Sequence, residues 1–220
     1  MKKGLIFILI IVILGIVGVF VYQSLTKEKE GAPPGEKLTM GKNLEGKKIV
    51  VILAFKDFRD EEYFVPKEIL EKAGAEIKTA SNKTGTAIGA DGGEVNVGLL
   101  VSEINLADFD AVVFIGGPGC LENLDNNNSY KVVQDTVSQN KVLASICISP
   151  TILAKAGVLQ GKKATVWTSP MDKSAVKILE DNGAIYEDKS VVVDGKIITG
   201  NGPEASKEFG EAILKVLTGE

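Results

Sequence analysis

A cysteine is the strongest candidate for a reactive group in this sequence. Cys147 lies between Val142–Ile146, an apolar run of strand length, and residues 150–156, a helical pattern that ends at Gly157. Proline suits the first turn of a helix, and the positive end of the helix dipole lowers the pKa of a nearby thiol. We therefore expect Cys147 to be a nucleophile on a sharp strand-to-helix turn. The alternative is a small buried hydrophobic residue.

Glu62 is the candidate acid partner of this thiol. It shares a helical stripe with Val65, Ile69 and Ala73, on a helix for which Asp60 offers an N-cap. Desolvation of an inward carboxyl raises its pKa until the neutral form can donate a hydrogen bond to a thiolate. The spacing fits equally well an ordinary glutamate that complements the dipole of the first helical turn.

A glycine-rich turn, Gly116-Gly117-Pro118-Gly119, follows the apolar run that ends at Ile115. Glycines let backbone N–H groups approach a ligand closely, so this turn and the amide of Ile148 are expected to bind a developing oxyanion. No phosphate-loop lysine follows the turn, which argues against nucleotide binding.

The composition excludes several classes of function. The chain has no histidine, which excludes Cys-His and Ser-His-Asp catalysis within it and argues against a zinc site. Its formal charge of −4 offers no clustered basic face for nucleic acid. The two cysteines, Cys120 and Cys147, are too few for a disulfide scaffold and lack metal-ligand spacing. We expect no cofactor, no metal and no nucleic-acid partner.

The elements that must position these residues alternate between strand and helix. This alternation predicts an α/β fold with a doubly wound, mostly parallel sheet, in which ligands bind beyond the carboxyl ends of the strands. The strand-like runs are residues 48–55, 76–80, 111–115, 142–146 and 164–167, with hairpins at 86–97 and 191–199. The helical patterns are residues 60–73, 130–139, 150–156, 171–181 and 203–217.

The N-terminal residues predict a different environment from the rest of the chain. Residues 4–22 carry no charge and, at about 1.5 Å per residue, nearly span the ~30 Å of a hydrocarbon core. They predict a single transmembrane helix within an anchor of residues 1–26, with the lipid bilayer as partner. The alternative is a cleavable signal peptide, whose apolar region is normally shorter. Residues 27–47, rich in Glu, Lys, Gly and Pro, predict a flexible linker, and residues 48–220 the folded domain.

Lysines flank the apolar run on both sides. Lys2 and Lys3 favour a cytoplasmic N-terminus, whereas Lys27 and Lys29 lie just past the other end. A single-pass membrane protein with an extracytoplasmic domain is the favoured interpretation.

The domain resembles the DJ-1/PfpI (ThiJ/PfpI) family, which has a flavodoxin-like fold of the class I glutamine amidotransferase-like superfamily. The resemblance covers residues 48–217 and rests on the segments RDEEYFVP, FDAVVFIGGPG, ASICISPTILAKAGVLQGKKAT and ITGNGPEASKEFGEAI. It implies that Cys147 is the nucleophile or redox-sensitive cysteine, Glu62 its protonated partner, and Gly117 with Ile148 the oxyanion donors. It also implies a homo-oligomer.

The resemblance implies an enzyme with cysteine-dependent chemistry on small reactive carbonyls or their protein adducts, of the glyoxalase or deglycase type, and the apolar N-terminus adds a membrane anchor to it. Alternatives are a redox-sensing or stress-protective module without turnover, and a catalytically inactive structural domain. Many hydrolase-type members have histidine after the cysteine, where this chain has Ile148; the missing imidazole argues against a PfpI-type cysteine peptidase. Thiolate addition to an aldehyde, or thiol oxidation, needs no imidazole. Cys120 is a candidate resolving thiol. The alternative is that it is a plain loop cysteine.

Overall fold

The structure of the protein is a computed structural model that describes residues 44–220. Its helices are α1 (Asp60–Lys72), α2 (Cys120–Leu124), α3 (Asn127–Ser138), α4 (Pro150–Lys155), α5 (Ser174–Asp181) and α6 (Ser206–Thr218). Its strands are β1 (Lys48–Ile52), β2 (Lys56–Phe58), β3 (Glu76–Ser81), β4 (Gly85–Gly89), β5 (Glu94–Val97), β6 (Leu99–Leu100), β7 (Ala111–Phe114), β8 (Val142–Ile146), β9 (Lys163–Ala164), β10 (Ile185–Tyr186), β11 (Val191–Asp194) and β12 (Ile197–Gly200).

A seven-stranded sheet forms the centre of the domain, in the order β11-β12-β8-β7-β1-β3-β6. Its neighbouring strands are parallel, except that β11 runs antiparallel to β12. Strands β2, β4 and β5 form a second, three-stranded sheet, and β9 pairs with β10. The predicted α/β fold with a mostly parallel sheet is confirmed.

Helices cover both faces of the central sheet. Along β1, Val50 and Ile52 point into one core, and Ile49 and Val51 into the other. Helices α3, α4 and α5 close the first core, and α1 and α6 close the second. Because both faces are buried, these strands are continuous apolar runs, which is the pattern that predicts them from the sequence.

Two local predictions differ from the structure. Arg59 is the N-cap of α1, whereas the Asp60 carboxylate accepts hydrogen bonds from the amides of Asp91 (2.8 Å) and Gly93 (2.6 Å) in the β4–β5 turn. The predicted strand at residues 164–167 is reduced to the two-residue β9. On the side of β9 away from β10, the amides of Lys163 and Thr165 donate to side-chain oxygens, Asp194 Oδ2 and Thr199 Oγ1, so no backbone ladder forms there.

A membrane-spanning helix is part of both the predicted fold class and the predicted location. The structure corrects that part of both predictions. Within residues 44–220 no helix is long and apolar enough to cross a bilayer. Helices α1 and α6 have 13 residues each. At about 1.5 Å per residue they span about 20 Å, against the ~30 Å of a hydrocarbon core. The predicted span, residues 4–22, and most of the predicted linker lie outside the described residues.

Packing of the domain includes a residue before Lys48. Leu44 is fully buried in the core under α1, and its amide donates to the carbonyl oxygen of Ala73 at 2.7 Å. This bond fastens the start of the described chain to the C-terminal end of α1.

Candidate active site

Cys147 occupies a backbone conformation that is unusual for its residue type. It follows β8 directly and has φ +67°. The left-handed region costs an L-residue with a side chain about 1–2 kcal/mol. The Cys147 amide donates to Gly200 O at 2.9 Å, and its carbonyl oxygen accepts from the Trp167 amide at 2.8 Å. Both peptide groups of the turn are thereby fixed to neighbouring segments.

Ser149 holds the same turn from inside and was not identified from the sequence. Its fully buried hydroxyl lies 2.7 Å from Ser145 Oγ, and within reach of the carbonyl oxygens of Ile146 (2.7 Å) and Phe114 (3.1 Å). It therefore ties the ends of β7 and β8 together beneath Cys147. Polar residues inside the otherwise apolar segment ASICISP are the signal that could have indicated this role.

Glu62 brings a carboxyl to this turn from the first part of α1. The side chain is fully buried, and Oε2 accepts a hydrogen bond from the Gly116 amide at 3.0 Å. No hydrogen bond of good geometry reaches Oε1 among the described residues. Burial raises the pKa of Glu62 from 4.5 to about 7, against smaller lowering effects of hydrogen bonds with Cys147 and the Gly116 amide. Near neutral pH this carboxyl is therefore present in both charged and neutral forms.

The glycine-rich turn leaves room for the thiol and the carboxyl to meet. A Cβ at Gly116 would lie 2.6 Å from Cys147 Cβ, 3.0 Å from Cys147 Sγ and 2.9 Å from Glu62 Oε2. Gly117 has φ +108°, and a Cβ there would lie 2.4 Å from the backbone nitrogen of Arg59. Side chains at either position would displace the reactive groups or the loop that precedes α1.

The thiol itself is not acidified in the resting site. Burial raises the pKa of Cys147 from 9.0 to about 12, and the charge and hydrogen bond of Glu62 raise it further. The amides of Gly117 and Ile148 point at the sulfur and act in the opposite direction. The predicted lowering of the thiol pKa by the following helix is outweighed, because Cys147 is 9% exposed and lies beside the Glu62 carboxyl, both of which raise that pKa.

The structure brings Cys147, Glu62, Gly117 and Ile148 together and separates Cys120 from them. Cys120 starts α2 and is fully buried in the core on the other face of the central sheet from Cys147. Both cysteines are free thiols. Burial raises the pKa of Cys120 well above its usual value, and the nearby charges of Cys147 and Glu62 raise it further. Its resolving role stays a prediction.

Comparison with known proteins places this chain in a family. Residues 47–216 match the model of the DJ-1/PfpI family. The chain belongs to the DJ-1/PfpI family. The resemblance inferred from the sequence segments is therefore confirmed.

Individual family members cover most of the chain. An uncharacterized protein of Methanocaldococcus jannaschii is 40% identical, covering 80% of this chain and 84% of its own. A deglycase of Pyrococcus abyssi is 34% identical, covering 76% and 98%. The crystal structure of a ThiJ/PfpI domain protein from Brachyspira murdochii superimposes with a TM-score of 0.74 at 35% identity, covering 80% and 99%.

Arg59 is a further residue at this DJ-1/PfpI site that the sequence did not indicate. Its amide donates to Gly116 O at 3.2 Å, and its guanidinium pairs with Asp91 at 3.2 Å. The positive charge also lowers the pKa of Glu62. Among residues 44–220, no group of three or more His, Cys, Asp or Glu side chains is arranged to hold a metal ion.

Proposed function

We propose that this member of the DJ-1/PfpI family uses Cys147 to attack small reactive carbonyl compounds or their protein adducts, in the manner of a glyoxalase or deglycase. The observation that carries the proposal is the Glu62 carboxyl, which is fully buried beside the partly accessible Cys147. Its pKa of about 7 means that the charged and the neutral form are both present near pH 7. The deglycase name of the Pyrococcus abyssi relative supports the same class of substrate.

The first step is a proton transfer within the pair. An ionised Glu62 takes the proton of the Cys147 thiol, which gives a thiolate beside a neutral carboxylic acid. The pair shares one proton, so its titration belongs to both groups together. The amides of Gly117 and Ile148 stabilise the thiolate, because both point at the sulfur. No imidazole is required for this step.

The second step is addition to the carbonyl. A carbon–sulfur bond forms between Cys147 Sγ and the aldehyde carbon, while the π electrons of the carbonyl move to its oxygen. Neutral Glu62 returns its proton to that oxygen, so the product is a neutral thiohemiacetal. For a 2-oxoaldehyde, the hydrogen on the former aldehyde carbon then moves to the neighbouring ketone carbon, which oxidises the first carbon and reduces the second, and gives a 2-hydroxy thioester on Cys147. Water attacks the thioester carbon, the carbon–sulfur bond breaks, and the 2-hydroxy acid leaves while the sulfur regains its proton. No external oxidant or reductant is needed.

The test compares two cysteine variants for methylglyoxal consumption. Cys147→Ser should lower kcat/KM by at least about 100-fold, since a serine hydroxyl is a far weaker nucleophile. Cys120→Ala is the matched control, because it removes the other thiol from the opposite core and should retain most activity. Undiminished turnover by Cys147→Ser would overturn the proposal.

A redox role without turnover is the second candidate. Two backbone amides point at the sulfur of Cys147, a residue that is 9% exposed, whereas Cys120 is fully buried. Those amides would also stabilise a sulfenate or sulfinate formed when peroxide oxidises Cys147. This candidate is favoured over the first if wild-type protein consumes no carbonyl substrate but mild peroxide oxidises Cys147 and spares Cys120.

A further inference from the structure

Residues 163–167 carry the chain along β12 toward the edge of the sheet at which Cys147 lies. The amide of Thr165 donates to Thr199 Oγ1 at 2.9 Å, and the amide of Trp167, two residues later, donates to the carbonyl oxygen of Cys147 at 2.8 Å. Strand β12 is parallel to β8 and ends level with it, so the segment reaches the carboxyl ends of the strands at Trp167. In an open α/β sheet, ligands bind at that edge.

The side chain of Trp167 is the exposed end of an otherwise buried stretch. Ala164, Thr165 and Val166 are fully buried, whereas Trp167 is 36% exposed. Val166 packs into the core that α3, α4 and α5 close. Side chains alternate in direction along an extended segment, so Trp167 points away from that core. The fold therefore presents a large aromatic side chain to solvent at the edge of the sheet where ligands bind.

The indole of Trp167 lies against the loop that follows β12. A Cβ at Gly202, in this loop, would lie 3.6 Å from Trp167 Cδ1. The loop starts after Gly200, whose carbonyl oxygen accepts from the Cys147 amide at 2.9 Å. Trp167 is thus connected to the Cys147 turn in two ways, by its own amide and through the loop against which its ring lies.

Strand β8 lies between β7 and β12, so Cys147 has the Gly116 turn and Glu62 on one side and Trp167 on the other. We propose that Trp167 is a specificity-determining residue, whose indole stacks on an aromatic ring of the substrate. The substrate class is then the 2-oxoaldehydes that carry an aromatic ring on the ketone carbon. This inference rests on the proposed function of Cys147.

Space and chemistry both favour an aromatic group at Trp167. On the Glu62 side of the thiol, a Cβ at Gly116 would lie only 2.6 Å from Cys147 Cβ, which leaves no room there for a ring. A large substituent on the ketone carbon therefore extends toward Trp167. An offset stack of two aromatic rings strengthens binding about twofold to tenfold beyond the effect of the buried area, and a methyl group offers no such face.

The first experiment compares phenylglyoxal with methylglyoxal, which differ only in the group on the ketone carbon. Trp167→Ala should lower the ratio of their kcat/KM values about fivefold. The loss should lie mainly in KM for phenylglyoxal, because contact with a remote ring binds ground state and transition state alike. Trp167→Phe keeps an aromatic face and should retain most of the preference. Ile185→Ala is the matched control, since it removes an apolar side chain, 51% exposed, from β10 beside Lys163, at the other end of the segment.

The second experiment needs no turnover. Trp167 is the only tryptophan of the chain, so intrinsic tryptophan fluorescence reports on this side chain alone. Mandelate, the 2-hydroxy acid expected from phenylglyoxal, should change the emission saturably and bind about fivefold more tightly than lactate, the acid expected from methylglyoxal. An unchanged substrate ratio in Trp167→Ala, or mandelate that binds no more tightly than lactate, would overturn the inference. If neither aldehyde is consumed, the proposed function fails, and the titration alone decides whether Trp167 binds an aromatic ring.

Discussion

At the scale of single residues, the site depends on one shared proton. Glu62 has a pKa of about 7 and Cys147 one of about 12, both raised first of all by burial. When Glu62 is neutral, its charge no longer opposes the thiolate, and its proton can stabilise the sulfur. Reactivity at neutral pH is therefore a property of the pair, since neither group alone supplies a thiolate there.

Replacing Glu62 tests this coupling directly. In wild type, the rate of Cys147 alkylation should rise with pH through an inflection near the Glu62 value of about 7. Glu62→Gln cannot accept the thiol proton, so that inflection should vanish and the rate at neutral pH should fall about tenfold or more. Glu68→Gln, which changes an exposed carboxyl paired with Lys72 on the same helix, should keep the wild-type profile. An unchanged profile in Glu62→Gln would show that the carboxyl does not control the thiol.

At the scale of elements, the position of Glu62 depends on how α1 packs against α6. Pro66 lies inside α1 and has no N–H, so it cannot donate the usual helical hydrogen bond to the carbonyl oxygen of Glu62. Contact with α6 is close at this point, because a Cβ at Gly210 would lie 2.9 Å from Pro66 Cα and 3.0 Å from Ile69 Cδ1. The missing side chain at Gly210 lets the two helices approach.

Gly210→Ala should therefore push the two helices apart. We expect the free energy of unfolding to fall by about 1–3 kcal/mol, as in other overpacked cores, and Cys147 alkylation to slow as Glu62 moves. Denaturant unfolding and alkylation rates measure both effects. Gly98→Ala is the control, since no atom lies within 4 Å of a Cβ there, and it should change stability by less than about 0.5 kcal/mol. Wild-type stability in Gly210→Ala would contradict this account of the packing.

The same elements show what the sequence can and cannot predict. Strand β8 and the positions of Cys147 and Glu62 follow from local patterns, because apolar runs and helical stripes involve only residues that are close in sequence. The β4–β5 hairpin also follows from such a pattern, at residues 86–97, but its extension by β2 does not, since β2 has three residues and pairs with a distant segment. The raised pKa of Cys147 also escaped prediction. It arises from burial and from Glu62, which the fold brings together from distant parts of the sequence.

At the scale of the whole molecule, the buried carboxyl links stability to pH. Glu62 titrates at about 7 when folded, against 4.5 for its ordinary value. A raised folded pKa means that the protonated form favours folding. This contribution is complete below about 4.5 and is lost as the pH rises through about 7. The difference corresponds to about 3 kcal/mol.

Glu62→Gln should remove this dependence. Relative to wild type, the variant should gain up to about 3 kcal/mol of unfolding free energy when the pH is raised from about 4 to about 8, because glutamine stays neutral. Denaturant titrations at the two pH values measure the gain. Glu68→Gln is a control on the exposed side of the same helix and should show no such gain. Equal pH dependence in wild type and Glu62→Gln would mean that Glu62 is not a buried, destabilising charge.

The left-handed backbone at Cys147 has an evolutionary consequence. Glycine would adopt φ +67° without the penalty of about 1–2 kcal/mol that a side chain brings. Natural selection for folding alone would thus favour glycine over cysteine at this position. In lineages that no longer need its chemistry, we expect residue 147 to drift toward glycine while the surrounding sheet persists.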